Sequence, residues 1–355
     1  MRALWDVPAP AKLNLFLHIT GRRDDGYHLL QSAFMLIDWC DTLHFERREG
    51  GALSREDLTT ALPADDLILR AARALQSATG CTIGAHIQVH KRIPAQAGMG
   101  GGSSDAATVL LGLNRLWQTK LPNKELQRLG LQLGADVPFF LFGRNAWVEG
   151  IGEKLQALDL PLARFVVLKP AAGIETAAIF SAPDLPRATP SVCPHDFMQA
   201  QQPFAFGRND LQVPAMRLYP DIGYATQWLA SHGLQPRMTG SGSAVFARTG
   251  AVASPMATSW PDLPAGWVGR MCRSLDQHPL VDWAGGGASI PLTGWGNTIA
   301  KGTREAVAEK GIFGALSGGL TGSAAGVAAA IFFGFLIAVA FKPKNKEGGS
   351  ELPFF

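Results

Sequence analysis

The segment GMGGGSSDAATVLL, residues 98–111, sets Gly98, Gly100, Gly101, Gly102, Ser103 and Ser104 around Met99 and then turns at once into an apolar run. Amides left uncovered at a glycine-rich turn bind anions, phosphate above all, when the positive end of a helix dipole points at the same spot. Two other stretches carry groups suited to polarising a hydroxyl or moving a proton. Lys12 stands in PAKLNLFLHI with Asn14 two residues on, and Asp136 interrupts LGLQLGADVPFFLFG. A carboxylate in apolar company is costly unless it is paired or used. An aspartate ahead of Val137 and Pro138 also suits a helix cap, and spacing alone leaves both readings open. A lone lysine in a strand is most often a solvated edge residue. Tyr27 and His28 follow the turn-rich GRRDDG and offer a stacking face and a hydrogen-bonding ring. RMTGSGSAVFA adds a second Gly/Ser turn before the strand-like Ala244 to Ala247, a weak signal by itself.

These groups need elements to hold them. In HIQVHKRI, Ile87, Val89, Lys91 and Ile93 alternate with Gln88, His90 and Arg92, the period of a half-buried strand, and Pro94 stops it. After the loop, Ser103 or Ser104 is expected to cap a helix with Asp105 in its first turn, and Ala106, Val109, Leu110, Leu113 and Leu116 follow at helical spacing. Strand, glycine loop and helix N-terminus in that order favour an anion site over a plain turn. The lysine that a G-x-x-x-x-G-K-[ST] phosphate loop requires is absent, and Ser103 stands where the dinucleotide fingerprint needs its third glycine. Around Lys12, alternation places Leu13, Leu15 and Leu17 on one face of a strand and Lys12, Asn14 and Phe16 on the other.

At 355 residues the chain exceeds one usual core, and 47% hydrophobic residues suffice for two domains. A net charge of +3 with no basic run interleaved with aromatics argues against a nucleic-acid partner. Cys40, Cys81, Cys193 and Cys272 lie far apart without a C-x-x-C pair, which indicates neither a disulfide framework nor a zinc site and suits a reducing cytoplasm. The opening MRALWDVPAPAKLNLFLHIT lacks the continuous apolar core of a signal peptide. Composition changes from Gly285. Residues 311–341 contain no ionisable group, the apolar SAAGVAAAIFFGFLIAVAF fills 323–341, and Lys342, Lys344 and Lys346 follow. That length suits a helix crossing a hydrocarbon layer of ~30 Å, so a membrane-inserting tail is expected over 285–355.

PAKLNLFLHI, GMGGGSSDAA and MTGSGSAVFA together resemble, in order, the three motifs of the GHMP kinases. GRRDDGYHLLQS, IPAQAGMGGGSSDAA, LGADVPFFL, DLPRATP and NDL are similar to the branch of that family acting on a methylerythritol that carries a cytidine diphosphate, in the non-mevalonate isoprenoid pathway. The resemblance runs from about Pro8 to Trp283 and implies an α/β (α+β) fold of two domains, 1–155 for ATP and 156–284 beyond it. It implies that Gly98, Met99, Gly100, Gly101, Gly102, Ser103 and Ser104 receive the ATP phosphates. By the same resemblance Asp136 is expected to take the hydroxyl proton, and Lys12 to polarise that hydroxyl and keep the aspartate ionised. The resemblance likewise implies that Tyr27, His28 and Phe180 grip the cytosine and that Asn14 meets the methylerythritol. Magnesium is expected with ATP, with Ser104 as its candidate ligand. The kinase part is expected to be a cytoplasmic monomer. The tail is similar to part of a stage V sporulation membrane protein. Two other readings stay open: another GHMP small-molecule kinase, and a membrane-tethered nucleotide-binding scaffold.

Overall fold

Two long antiparallel strands, β1 (Ala3–Arg22) and β2 (His28–Arg48), pair with Lys12 opposite Leu36 and Asn14 opposite Phe34. The computed structural model describes residues 1–171, 173–200, 203–250 and 263–281. β3 (Leu53–Asp57) and α1 (Leu67–Thr79) follow, then β4 (Gly84–His90), α2 (Gly101–Leu116), α3 (Asn123–Leu133), α4 (Val137–Phe142), β5 (Ala146–Gly150) and β6 (Lys154–Ala157). β2 is the spine of this first sheet. One part of it pairs with β4 and another with β5, β3 lies parallel to β4, and β6 closes the far edge. α1 and α2 bury Ile68, Leu75, Val109, Leu110 and Leu113 in one core with Phe45, Ile87 and Val89 of the sheet.

The chain continues through β7 (Arg164–Lys169), α5 (Thr176–Phe180), α6 (Pro194–Gln199), α7 (Gln212–Leu218), α8 (Pro220–Ser231), β8 (Arg237–Met238), β9 (Val245–Thr249) and β10 (Val268–Arg273). These strands form a second sheet in the order β10-β7-β9-β8. Leu13, Leu15 and Met35 of the first sheet share a core with Phe165, Val167 and Phe246 of the second. The described residues accordingly form one unit. The boundary expected at residue 155 falls inside β6, whose pairing with β5 carries the first sheet on to Ala157.

Three local expectations change. First, the register of β1 against β2 shifts between Asn14 and Leu17. A β-bulge of this kind turns the following side chains to the other face. Phe16 therefore joins Leu13 and Leu15 in the core, whereas Leu17 lines a cavity beside Lys12 and Asn14. Second, α2 begins at Gly101. Its N-cap is Gly100, at φ 71°, with no side chain capping it, rather than Ser103 or Ser104. Glycine enters the left-handed region without a Cβ penalty, so the helix starts as soon as the turn ends, and Asp105 becomes its fifth residue. Third, β4 stops at His90, ahead of Lys91. Among the described residues no helix is long and apolar enough to cross a membrane. The expected span 323–341, with the whole of 285–355, lies outside the described residues.

Candidate functional site

Lys12 is not a solvated edge residue. It is 3% exposed, and its Nζ donates to Asn14 Oδ1 at 2.5 Å, lies 3.3 Å from Asp136 Oδ2 and sits 4.4 Å above the centre of the Phe34 ring. Asp136 occupies the N-cap position of α4, yet its side chain makes no capping hydrogen bond. The carboxylate thus faces the lysine and makes no bond to the helix amides. Asn14 is fixed in turn, since its Nδ2 donates to Ser32 Oγ at 3.0 Å and its backbone N–H to Thr239 Oγ1 at 2.9 Å.

The glycine loop approaches from the other side, with Lys12 N–H donating to Met99 O at 3.0 Å. A Cβ on Gly98 would stand 2.2 Å from Thr239 O and 2.9 Å from Gly242 N, and one on Gly100 would stand 3.0 Å from the Phe140 ring and 3.4 Å from Lys12 Cε. Both glycines also have φ near 70°. Side chains are excluded there by the protein's own packing, so a valine at Gly100 would press on Lys12 before it met a phosphate. Gly102 differs, because a Cβ there meets only Leu67, at 3.6 Å.

A cavity of about 700 Å³ holds Lys12, Asn14, Tyr27, His28, Asp136 and Phe180 together. Tyr27 is 61% exposed, and the rings of His28 and Phe180 lie 5.3 Å apart. Burial lowers the pKa of His28 from its ordinary value, Arg22 and Arg187 add to the effect, and a backbone hydrogen bond with Phe180 opposes it. Its Nδ1 is buried without a partner. A second cavity, of about 450 Å³, runs along the loop and is lined by Met99, Gly101, Gly102, Lys91 and Asp105. Gly98, Gly100 and Ser103 border both cavities. Ser104 borders neither. It is fully buried and its Oγ has no hydrogen-bond partner. Among the described residues no cluster of His, Cys, Asp and Glu could hold a metal ion.

Several supporting groups take on a role only in the fold. Asn209 donates from Nδ2 to Met238 O and Gly240 O, both at 2.8 Å, and so holds the second glycine turn. Asp210 accepts from Ile19 N–H at 2.8 Å and from Thr189 Oγ1 at 2.6 Å. These bonds account for NDL and for the threonine of DLPRATP. Beneath the loop, Lys91 Nζ bonds both Asp41 and Asp105. Burial pushes the Asp105 carboxyl up to about 7, with Lys91 opposing and Asp41 reinforcing the shift. Asp41 lies on β2 and Lys91 just past the end of β4, and only the pairing of those strands brings them together; an aspartate inside the apolar FMLIDWCDTLHF was the available clue.

The family model for the GHMP kinases N terminal domain matches residues 66–144, which include the glycine loop and Asp136. The 4-diphosphocytidyl-2-C-methyl-D-erythritol kinase of Variovorax paradoxus is 60% identical over 297 residues, covering 80% of this chain and all of the relative. That of Acidovorax ebreus is 59% identical, over 81% of this chain and all of the relative. A crystal structure of 4-(cytidine 5'-diphospho)-2C-methyl-D-erythritol kinase, 36% identical, superposes with a TM-score of 0.60 over 68% of this chain and 88% of its own. Homoserine kinase from Cytophaga hutchinsonii, 14% identical with a TM-score of 0.51, shares the fold. The model for the SpoVAC/SpoVAEB sporulation membrane protein matches residues 271–340. Of these, residues up to Arg273 belong to β10, which pairs with β7 in the second sheet.

Proposed function

The chain belongs to the 4-diphosphocytidyl-2-C-methyl-D-erythritol kinases of the GHMP family, and from that premise we infer that it transfers the γ-phosphoryl group of ATP to the 2-hydroxyl of 4-diphosphocytidyl-2-C-methyl-D-erythritol, in the non-mevalonate isoprenoid pathway. The observation that carries this reading is the Lys12–Asp136 pair at 3.3 Å, in a cavity that shares a glycine wall with its neighbour.

Phosphoryl transfer is mostly positioning and charge stabilisation. ATP lies along the second cavity with its phosphates over the uncapped start of α2, where free amides and the helix dipole favour negative charge. The acceptor occupies the first cavity. Lys12 draws electron density from the attacking hydroxyl and Asp136 receives its proton. The lysine is held in place by Asn14 and Phe34, so its charge is already aimed before substrate arrives. The cytosine stacks against Tyr27 and Phe180 and hydrogen-bonds to His28. Magnesium bound with ATP would neutralise part of the charge on its phosphates. Ser103, which borders both cavities, would be placed to hold it, whereas Ser104, enclosed and lining neither, would not.

The kinase part is read as two halves, one around each sheet, working as a cytoplasmic monomer. The match of residues 271–340 to a sporulation membrane protein supports membrane contact by the tail. A coupled ADP-release assay with a panel of alcohols tests the function. The cytidylylated methylerythritol is expected to be turned over at least about a hundredfold faster, in kcat/KM, than homoserine, mevalonate or a free sugar, since buried groups that lose their partner discriminate strongly. Equal turnover of mevalonate or homoserine would overturn the reading.

A pH dependence follows from His28. With its pKa lowered, the ring stays neutral at pH values where an ordinary histidine, of pKa 6.5, has begun to charge. A neutral ring keeps one acceptor nitrogen for the cytosine amino group, and protonation removes it. KM for the acceptor is therefore constant above pH 6.5 and rises only below it, and His28→Gln abolishes the rise. Steady-state kinetics across that range measure both, and an inflection above 6.5 would contradict the assignment.

A further inference from the structure

We propose that Lys91, Asp41 and Asp105 form a positioning clamp that holds the glycine loop in register for the nucleotide, a proposal that rests on reading the second cavity as the nucleotide's. The loop runs from the end of β4 to the fifth residue of α2, and the clamp grips both ends. Asp41, fully buried on β2, accepts from Arg92 N–H at 2.5 Å and Ile93 N–H at 2.8 Å through Oδ1. Its Oδ2 takes Lys91 Nζ, which reaches Asp105 Oδ2 at 2.5 Å on the other side. The strand end is thereby fastened to β2 and the helix start to the strand end. The packing agrees, because a Cβ on Gly101 would stand 3.0 Å from Ile93 Cγ2 and 3.6 Å from Asp41 Oδ2. The start of α2 rests on the same residues that Asp41 anchors.

Stability gives no reason for such a group. One lysine and two carboxylates out of water cost more than well-packed apolar side chains of similar volume, and buried ion pairs replaced in that way are often no less stable. What the charged bridge supplies is direction: bonds to charged groups are short and strongly oriented. Lys91 and Asp105 both line the second cavity, and Asp105 sits on the same first turns of α2 as the amides of Gly101, Gly102 and Ser103. None of the three borders the first cavity, where the acceptor is read to bind.

Asp105→Leu is the discriminating variant. It cuts the bridge to the helix and leaves Lys91 paired with Asp41, with no uncompensated charge. KM for ATP is expected to rise about tenfold, the usual effect of losing one charge-assisted hydrogen bond, while KM for the acceptor stays within about twofold. Asp105→Asn keeps an acceptor oxygen for Lys91 and is expected to restore the ATP value to within about threefold of wild type. If the leucine variant fails to fold by circular dichroism, Asp105→Ala removes the bridge without adding bulk and carries the same test. An unchanged KM for ATP, or equal rises in both KM values, would overturn the clamp. A wild-type protein that binds no ATP would instead overturn the functional reading on which the clamp rests.

Discussion

Asp136→Asn lowers kcat about a hundredfold or more and leaves the affinity for ATP nearly unchanged. The amide keeps the size of the carboxylate and still offers an oxygen to Lys12, 3.3 Å away in the native pair. What it cannot do is take a proton from the attacking hydroxyl at neutral pH. Because the defect lies in the transfer step, it appears in kcat and kcat/KM together, while a binding titration with a non-hydrolysable ATP analogue gives the wild-type curve. Thermal unfolding makes the result specific. An aspartate that caps α4 through its side chain would cost about 1 kcal/mol on removal of the cap. Here no such bond exists, so a modest fall in the melting temperature of Asp136→Asn reflects only the loss of charge opposite the buried Lys12, screened by water at the partly exposed carboxyl. Near-normal turnover would remove Asp136 from the chemistry. A large loss of stability together with activity would make it a structural residue.

Part of this site could be read before any fold was known, because several of its stretches carry their own local pattern. The alternation of HIQVHKRI, the glycines of 98–102 and the apolar run after them are local patterns with local causes. So is the conflict of a carboxylate at Asp136 with its apolar surroundings. The unreadable parts are those that only tertiary pairing creates. The bulge after Asn14 arises from the register of β1 on β2 and exchanges the faces of Phe16 and Leu17, an exchange that strict alternation cannot anticipate. The capping role expected of Ser103 or Ser104 failed because Gly100, in the left-handed region, ends the turn early and leaves the first amides of α2 to a ligand. Lys91 looked like one more alternating strand residue. Its partners Asp41 and Asp105 lie 50 and 14 residues away, on a neighbouring strand and on the helix.

Gly98→Ala is expected to be severe, and its cause is the contact between the two glycine turns. An L-residue held at φ 70° costs roughly 1–2 kcal/mol by itself. The added methyl would then stand 2.2 Å from Thr239 O and 2.9 Å from Gly242 N, atoms of backbone that no rotamer change can move aside. The turns must part, and with them the bonds that stitch them: Ser243 N–H to Gln96 O at 3.0 Å and Ala244 N–H to Ala97 O at 3.2 Å. Strain and lost bonds together place the cost on the order of 4 kcal/mol, among the larger single-residue effects. For a unit of this size that lowers the melting temperature by on the order of 10 °C. Calorimetry of Gly98→Ala beside Gly102→Ala measures it, since Gly102 has ordinary backbone angles and its Cβ would meet only Leu67, at 3.6 Å. The second variant should melt close to wild type, because a methyl at that distance makes ordinary contact. Equal melting temperatures for the two variants would mean that the turns do not touch. The wall between the two cavities, which depends on Gly98 lying against Thr239, would then have no support from the second sheet.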